Sequence, residues 1–444
     1  MSSYRALSRT FFQDELQDGK NILLVNPPVI DHRYAWVKWN QPLDLLNISS
    51  YLKKEKNCKV KLFDFMQPKK SKVRRSGVTR PNHLNVNGVE FRQYYWGKSI
   101  SDFRQYLEEQ NSAWIPDYVI FTTLTSYWWR GVHQALNEVH TMFPSSKCVL
   151  YGNYAIYESD HASIHVFPDL ILTDYFTSMN EFSADFTLYE DQSLDFCALN
   201  IGYNNWDKEI SKARLNGVNK FIFYVDWLFK DPDNDFLPKL KNITQTYKSE
   251  PMTKQPSFIG ICGLYPDDID MENAKALIDA NFRDIHLEHN YENGRPDIKQ
   301  FEEAKRCFDS AYNDANISNN GVGAFLMIGT PNENIDNLVE DLYSLHEVVG
   351  HVILKPYTPQ PNSDFYSNLR TGEESLRLEL LSPHLFPMSN LNGISPNEYQ
   401  ELYSLASLLN HRVRGNSWDL FPGELGFELF AKSMKRKVWD INNG

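Results

Sequence analysis

NILLVNPP, residues 21–28, is a run of aliphatic side chains closed by an asparagine and two prolines. Consecutive apolar residues without polar alternation suit a strand covered on both faces, and a double proline cannot continue a ladder, so the strand ends at Asn26. Outward from it, LDLLNISSYLKKE (43–55) sets Leu45, Leu46, Ile48 and Leu52 at helical spacing, and KVKLFDF (59–65) reads as a second strand. DYVIFTTL (117–124), KCVLYGN (147–153) and PDLILTD (168–174) are further strands, and RGVHQALNEVHTMF (130–143) is a helix. Apolar strands joined by helical crossovers predict an α/β fold with a doubly wound parallel sheet, because parallel neighbours need crossovers and the crossovers cover both faces. The polar segment 66–112 is too long for an ordinary connection and is expected to be a functional insertion or a cap.

In such a sheet, ligands sit beyond the carboxyl ends of the strands, where the strand order reverses. Asn26, Pro27 and Pro28, the stretch Thr122 to Thr125, and Gly152 with Asn153 fall on that rim. Thr123, Thr125 and Ser126 offer hydroxyls to a phosphate or amide without adding charge, and Gly152 lets a ligand approach the backbone closely.

The second half repeats the beat. Helix KEISKARLNGV (208–218) precedes strand NKFIFYVDWLF (219–229), then come strand SFIGICGL (257–264), helix MENAKALIDANF (271–282) and strand DIHLEHN (284–290). Helix IKQFEEAKRCFDSAYNDA (298–315), strand VGAFLMIGTPNEN (322–334), helix NLVEDLYSLHEV (337–348) and strand GHVILKPYTP (350–359) follow. This series predicts a partial or complete β/α barrel with its active face at the strand C-termini, where Asp226, Glu288 and the loop from Gly329 to Glu333 fall. The expected division is 1–190, 191–370 and a C-terminal helical extension over 371–444.

A net charge of -12, from 57 acidic and 45 basic residues, argues against nucleic acid as a general partner; the basic run KKSKVRR (69–75) reads as a solvated loop. Five scattered cysteines, at 58, 148, 197, 262 and 307, with no C-x-x-C, indicate neither a disulfide framework nor a zinc knuckle and fit a reducing cytoplasm. No leader pattern and no long apolar run point to secretion or a membrane span. A small-molecule ligand is expected, with a partner protein or a second copy of the chain as open companions.

The two halves in this order resemble the cobalamin-binding class of radical S-adenosylmethionine (SAM) proteins, over residues 21 to about 370. NPP, WVKWNQP (36–42), LTSYWWRGV (124–132) and YGNYAIYESDHA (151–162) are similar to segments of the cobalamin domain. GVNKFIFYVDWLF, DIHLEHN, FLMIGTPNEN and YTPQPNSDFY are similar to the barrel's strand-and-loop series. The resemblance implies base-off cobalamin (vitamin B12) on the first domain's rim, a four-iron cluster held by three cysteines after the first barrel strand, and SAM completing the cluster. It places Asp226 and Glu288 toward SAM's ribose and amino groups, with a barrel-mouth salt bridge as the alternative. It sets Tyr127, Trp128 and Trp129 at the corrin rim, with packing between domains as the alternative. His161 is a conceivable axial ligand or a helix cap; His286 shares a strand face with Glu288, and His289 faces the other way.

The family's C-x-x-x-C-x-x-C pattern is missing. SLDFCALNIGYNNWD (193–207) holds Cys197 alone, and one thiolate cannot hold an iron–sulfur cluster, so none is expected and no metal ligand is assigned. The segment 198–206, with Tyr203 and Trp206, is expected to fold inward over the vacated site, leaving a smaller pocket lined by Asp226 and Glu288. Three readings stand: a cluster-less cobalamin-binding relative, with SAM as a further ligand, in non-radical chemistry or regulation; a cobalamin-dependent methyltransferase with unusual cluster ligands; and a cofactor-free partner subunit of an active paralogue.

Overall fold

A computed structural model describes residues 10–413, except for 33–40, 68–74, 79–84, 190–195, 200–205, 230–235, 383–393 and internal gaps of one to five residues. Two compact units emerge, one from residues 1–198, 203–216 and 358–385, the other from 199–202, 217–357 and 386–444. Toward the end of the described residues, 358–385 group with the first unit and 386–413 with the second.

In the first unit, strands β1 (Asn21–Asn26) and β2 (Val29–His32) precede helix α1 (Leu43–Glu55), β3 (Lys59–Asp64) and β4 (Arg75–Val78). A short hairpin, β5 (Asn85–Val86) and β6 (Val89–Glu90), leads to β7 (Gln93–Trp96) and α2 (Ile100–Asn111). After β8 (Tyr118–Thr122) come α3 (Trp129–Met142), β9 (Lys147–Tyr151), α4 (Asn153–Tyr157), α5 (Ser159–His165) and β10 (Leu170–Ile171). The parallel sheet runs β10-β9-β8-β1-β3, so the strand order reverses between β1 and β8, at Asn26 and Thr122. Period-two alternation covers both faces. Leu23 and Val25 of β1 pack with Phe103, Leu107, Val132 and Leu136 of α2 and α3, while Ile22 and Leu24 pack with Leu45, Ile48 and Leu52 of α1.

The 66–112 segment is not simply an insertion. It supplies α2, the crossover helix into β8, and strands β4 and β7, of which β7 pairs antiparallel with both β2 and β4 in the order β2-β7-β4. The PDLILTD strand shortens to the two residues of β10, because only Leu170 and Ile171 find a partner, in β9.

Strand β11 (Cys197–Leu199) and helix α6 (Trp206–Leu215) lead into the second unit. There follow β12 (Lys220–Phe223), α7 (Phe236–Tyr247), β13 (Ser257–Gly260), α8 (Met271–Asp279) and β14 (His286–Glu288). Next are α9 (Ile298–Asp314), β15 (Gly323–Ile328), α10 (Ile335–Val349) and β16 (Val352–Pro356), and near the end α11 (Asp364–Thr371, of the first unit) and α12 (Pro396–Val413). The strands form two sheets in chain order, β11-β12-β13 and β14-β15-β16, linked by single parallel bridges from Phe258 to Phe282 and from Leu264 to Leu287. Buried Phe221, Phe223, Phe258 and Phe282 stack on the helix-covered side, Phe223 lying 6.0 Å from Phe282 with rings 7° apart. Short acids and an amide cap the helices: Asp270, Asp297 and Asn334 each accept a backbone N–H at the start of α8, α9 and α10. At the outer edge, the Asn410 amide of α12 accepts from Val352 N (2.9 Å) and donates to Val352 O (2.7 Å). No helix among the described residues is long and apolar enough to cross a membrane.

Candidate functional site

At the reversal point of the first sheet, the chain spends most of its polar groups on itself. Asn26 Nδ2 donates to Asp64 Oδ1 (2.7 Å), and buried Asp64 also accepts from Met66 N (2.9 Å) and from the Tyr189 hydroxyl (2.8 Å). Burial and that carboxylate push the Tyr189 phenol well above its ordinary range. Pro28, which follows Pro27 out of β1, lies against α3: a Cβ on Gly131 would overlap the Pro28 carbonyl oxygen, so only glycine lets the helix begin there.

The segment after β8 carries the other nominated residues, and the fold does bring them together. Thr123 Oγ1 donates to Thr125 O (3.2 Å), and Ser126, Tyr127 and Trp128 form a single 3-10 turn. Trp128 Nε1 donates to Asp31 Oδ2 (2.8 Å), and Ser382 Oγ donates to Asp31 Oδ1 (2.7 Å), satisfying a carboxylate that is fully buried. Arg130 pairs with Glu379 at 2.5 Å, holding Glu379 below the usual carboxylate range despite its burial. Gly152 sits at φ +93°, and a Cβ there would stand 2.5 Å from Thr122 Oγ1. The space a side chain would need there is thus taken by a neighbouring strand end rather than left open for a ligand. Asn153 Nδ2 donates to Leu124 O (2.9 Å) and Asn153 Oδ1 accepts from the Tyr175 hydroxyl. What remains at the rim is half-exposed Leu124 and the buried Thr125 hydroxyl, which lies beside the Tyr127 phenol without a hydrogen bond of good geometry.

His161 neither caps a helix nor points outward alone. Its Nδ1 bonds the Tyr154 hydroxyl at 2.7 Å, and its ring lies 4.2 Å from His165 and 5.1 Å from Trp129, so the imidazole belongs to an aromatic cluster on α3 and α5.

Cys197 is fully buried in β11, its thiol directed at Ala198 O (3.5 Å). Burial, helped by the nearby Glu209 carboxylate, pushes the thiol well above its ordinary range, so it is held as a neutral core group. Glu209 itself, nearly inaccessible, accepts from Ala184 N (3.0 Å), and burial pushes its carboxyl up to about 7. Trp206 is buried at the start of α6, whereas Tyr203 and Asp226 lie outside the described residues.

The second unit offers a different surface. Along β14, β15 and β16, Leu287, Leu326 and Leu354 are buried, while the alternate residues His286, Phe325, Met327 and Lys355 are only half-buried. On that alternate face, Glu288 receives Lys355 Nζ on both oxygens, at 2.7 and 2.8 Å, and the ammonium also reaches Cys262 O (3.4 Å) and lies 5.5 Å above the Phe325 ring. His286 stacks on the same ring at 4.7 Å. The Glu288 carboxylate is therefore spoken for by a lysine, the salt-bridge alternative to a SAM contact. His289 does face the other way: with Arg295, Leu326, Thr330, Glu333 and Asp341 it lines a cavity of about 190 Å³. Burial pushes the His289 imidazole down to about 4, and Glu333 accepts from Gly329 N (2.7 Å), from Thr330 Oγ1 (3.2 Å) and from the Tyr399 hydroxyl (3.0 Å).

No family model matches the chain, and no curated protein does. Among solved structures it is similar to a radical S-adenosylmethionine methyltransferase, TsrM, from Kitasatospora setae, determined with its tryptophan substrate and a SAM analogue bound. The TM-score is 0.51 at 11% identity, over 76% of this chain and 73% of that one. The chain shares that enzyme's fold. A second TsrM structure, with cobalamin and a four-iron, four-sulfur cluster bound, aligns at a TM-score of 0.46 and 11% identity over 76% and 72% of the two chains. At such identity the likeness speaks for architecture alone.

Sequence reading located the strand ends but missed Asp31, Glu379, Ser382 and Lys355, the residues that occupy them. Their partners lie 67 to 351 positions away, and no local pattern announces such a pairing.

Proposed function

We propose that this chain is a cobalamin-binding protein on the frame of a cobalamin-dependent radical SAM methyltransferase, that it has lost the iron–sulfur site, and that it serves binding, regulation or non-radical chemistry. The observation carrying this reading is Cys197: no other cysteine lies between positions 149 and 261, and this one is a fully buried neutral thiol. A cluster needs several thiolates fixed in geometry, and this stretch supplies one cysteine, so the donor set does not fit it and the proposed chemistry has no step that runs through a cluster.

Cobalamin asks for shape and a few neutral hydrogen bonds, and the rim of the first unit retains material for both. Thr123, Thr125, Ser126 and Asn153 would hold its nucleotide tail, and the faces of Tyr127 and Trp128 would border the corrin. When bound, the group supplies a cobalt centre able to carry a methyl group. The buried Thr125 hydroxyl is a rim donor without a well-formed hydrogen bond, and Leu124 beside it supplies apolar surface. SAM is the weaker candidate, because a ligand at Glu288 must displace Lys355 from both carboxylate oxygens.

The extent to which rim groups are satisfied internally favours a second reading, the cofactor-free partner subunit. Purified protein, reconstituted anaerobically with iron and sulfide and separately with hydroxocobalamin, separates the readings. A retained cobalamin spectrum with far fewer than about four irons per chain supports the proposal. Neither signal supports the second reading. A stoichiometric cluster that Cys197→Ala removes restores the active methyltransferase with unusual ligands.

A further inference from the structure

At the end of the first sheet opposite the ligand rim, three side chains of different chemistry converge. His140 comes from the last turn of α3, Cys148 from the start of β9 and Asp169 from the residue before β10. A ring nitrogen, the sulfur and a carboxylate oxygen all lie within 4.8 Å of one another. Cys148 is fully buried, whereas the His140 and Asp169 side chains are 36% and 45% exposed, so the group is roofed by protein on one side and open to water on the other.

We propose that His140, Cys148 and Asp169 form a zinc site with its fourth position open to water. Tetrahedral zinc, with bonds of about 2.0–2.1 Å to nitrogen and about 2.3 Å to sulfur, sets its ligands about 3.3–3.6 Å apart. The His140 Nε2 to Asp169 Oδ2 distance is 3.4 Å, too long for a strong hydrogen bond and right for two ligands sharing an ion. The carboxylate is already aimed: Asp169 Oδ2 accepts from Cys148 N at 2.7 Å, the kind of outer contact that orients a metal-bound carboxylate. One nitrogen, one sulfur and one oxygen form a borderline-soft set that suits zinc over magnesium or calcium. The bland alternative is a core thiol beside a surface His–Asp contact. It leaves unexplained why the sulfur, the imidazole and the carboxylate gather within 4.8 Å of one another. A bound ion would tie the end of α3 to β9 and β10.

Cobalt(II) titration of the full chain, stripped with chelator and without added cobalamin, tests the site. The expected result is about one cobalt per chain, with visible bands of a tetrahedral ion and a thiolate-to-cobalt charge-transfer band, both erased by zinc. Cys148→Ser should abolish the charge-transfer band, and His140→Ala should weaken cobalt binding at least about tenfold. No thiolate band, or a band that survives Cys148→Ser, overturns the proposal. Should Cys148→Ser fail to fold, the half-exposed His140→Ala decides: unchanged cobalt affinity overturns the site, and a loss upholds it.

Discussion

The rim of the first sheet and the alternate face of the second sheet both lie where their folds usually keep ligands, yet they are furnished differently. The rim is closed by long-range bonds: Asp31 to Trp128 and Ser382, Asp64 to Asn26 and Tyr189, Arg130 to Glu379. On the face of β14–β16 the described ion pair is Glu288 with Lys355, amid half-buried His286, Phe325 and Met327. A surface whose polar groups are satisfied several times over resists rearrangement, whereas one resting on a single pair can be reopened by one competing charge. A ligand at the rim must therefore displace several internal bonds, and a ligand at Glu288 must displace Lys355.

The most severe test of that contrast is Gly131→Ala. The added methyl meets the Pro28 carbonyl at the reversal point, and the helix cannot shift without disturbing Trp128, so a loss of more than about 3 kcal/mol in urea unfolding is expected, or no folded protein at all. A variant as stable as the parent would show the rim to be pliable.

Glu209 gives the next largest effect. Its folded carboxyl titrates near 7 against an ordinary 4.5, so the fold holds a proton that the unfolded chain releases. The associated stability is complete below about 4.5 and is lost as pH rises through about 7, by up to about 3 kcal/mol. Urea melts at acid and mildly alkaline pH should show the parent weakening with pH and Glu209→Gln, which keeps the bond from Ala184 N, weakening less. Equal slopes would place the carboxyl in a wetter setting.

Lys355→Met leaves Glu288 buried without its cation. With Lys355 about a third exposed, the cost should fall near the low end for a broken buried pair, about 2–3 kcal/mol. Adding Glu288→Gln should recover most of it; a double variant as unstable as the single one would show that the lysine's packing on Phe325, not the pair, holds this face.

The smallest expected change is Trp128→Phe, which removes one of the two named donors to Asp31 and should cost about 1–2 kcal/mol by thermal or urea unfolding. A larger loss would mean that this one bond closes the rim as Lys355 closes the other face.

How far the sequence could be read follows from the range of the forces involved. NILLVN and LDLLNISSYLKKE became β1 and α1 over the expected residues because burial on two faces, or on one helical stripe, is written locally. NKFIFYVDWLF was expected to be one long strand, and β12 is described only over Lys220–Phe223, with Asp226 outside the described residues. The segment 66–112 looked like an interruption because ISDFRQYLEEQN is rich in polar residues; buried Phe103 and Leu107, with Ile100 and Tyr106 beside them in the same core, make it a crossover helix. At the rim the positions of Thr123, Gly152 and Asn153 were legible as strand ends, but the bond that fixes neighbouring Trp128 was not, since a carboxylate 97 residues upstream leaves no trace in the local pattern.

The amide of Asn410 has a bearing on solubility. β16 is the last strand of its sheet, and alternation turns the backbone groups of Val352, Leu354 and Pro356 away from β15. An open strand of this kind recruits other chains through its free backbone groups. Here Asn410 occupies both groups of Val352 in the manner of one residue of a neighbouring strand, and Pro356 has no N–H to offer, so among the described residues Leu354 alone of these three keeps a complete outward pair, between two blocked positions. One side chain on a distant helix thus guards the sheet against intermolecular pairing, and a chain truncated ahead of it would be expected to aggregate through β16.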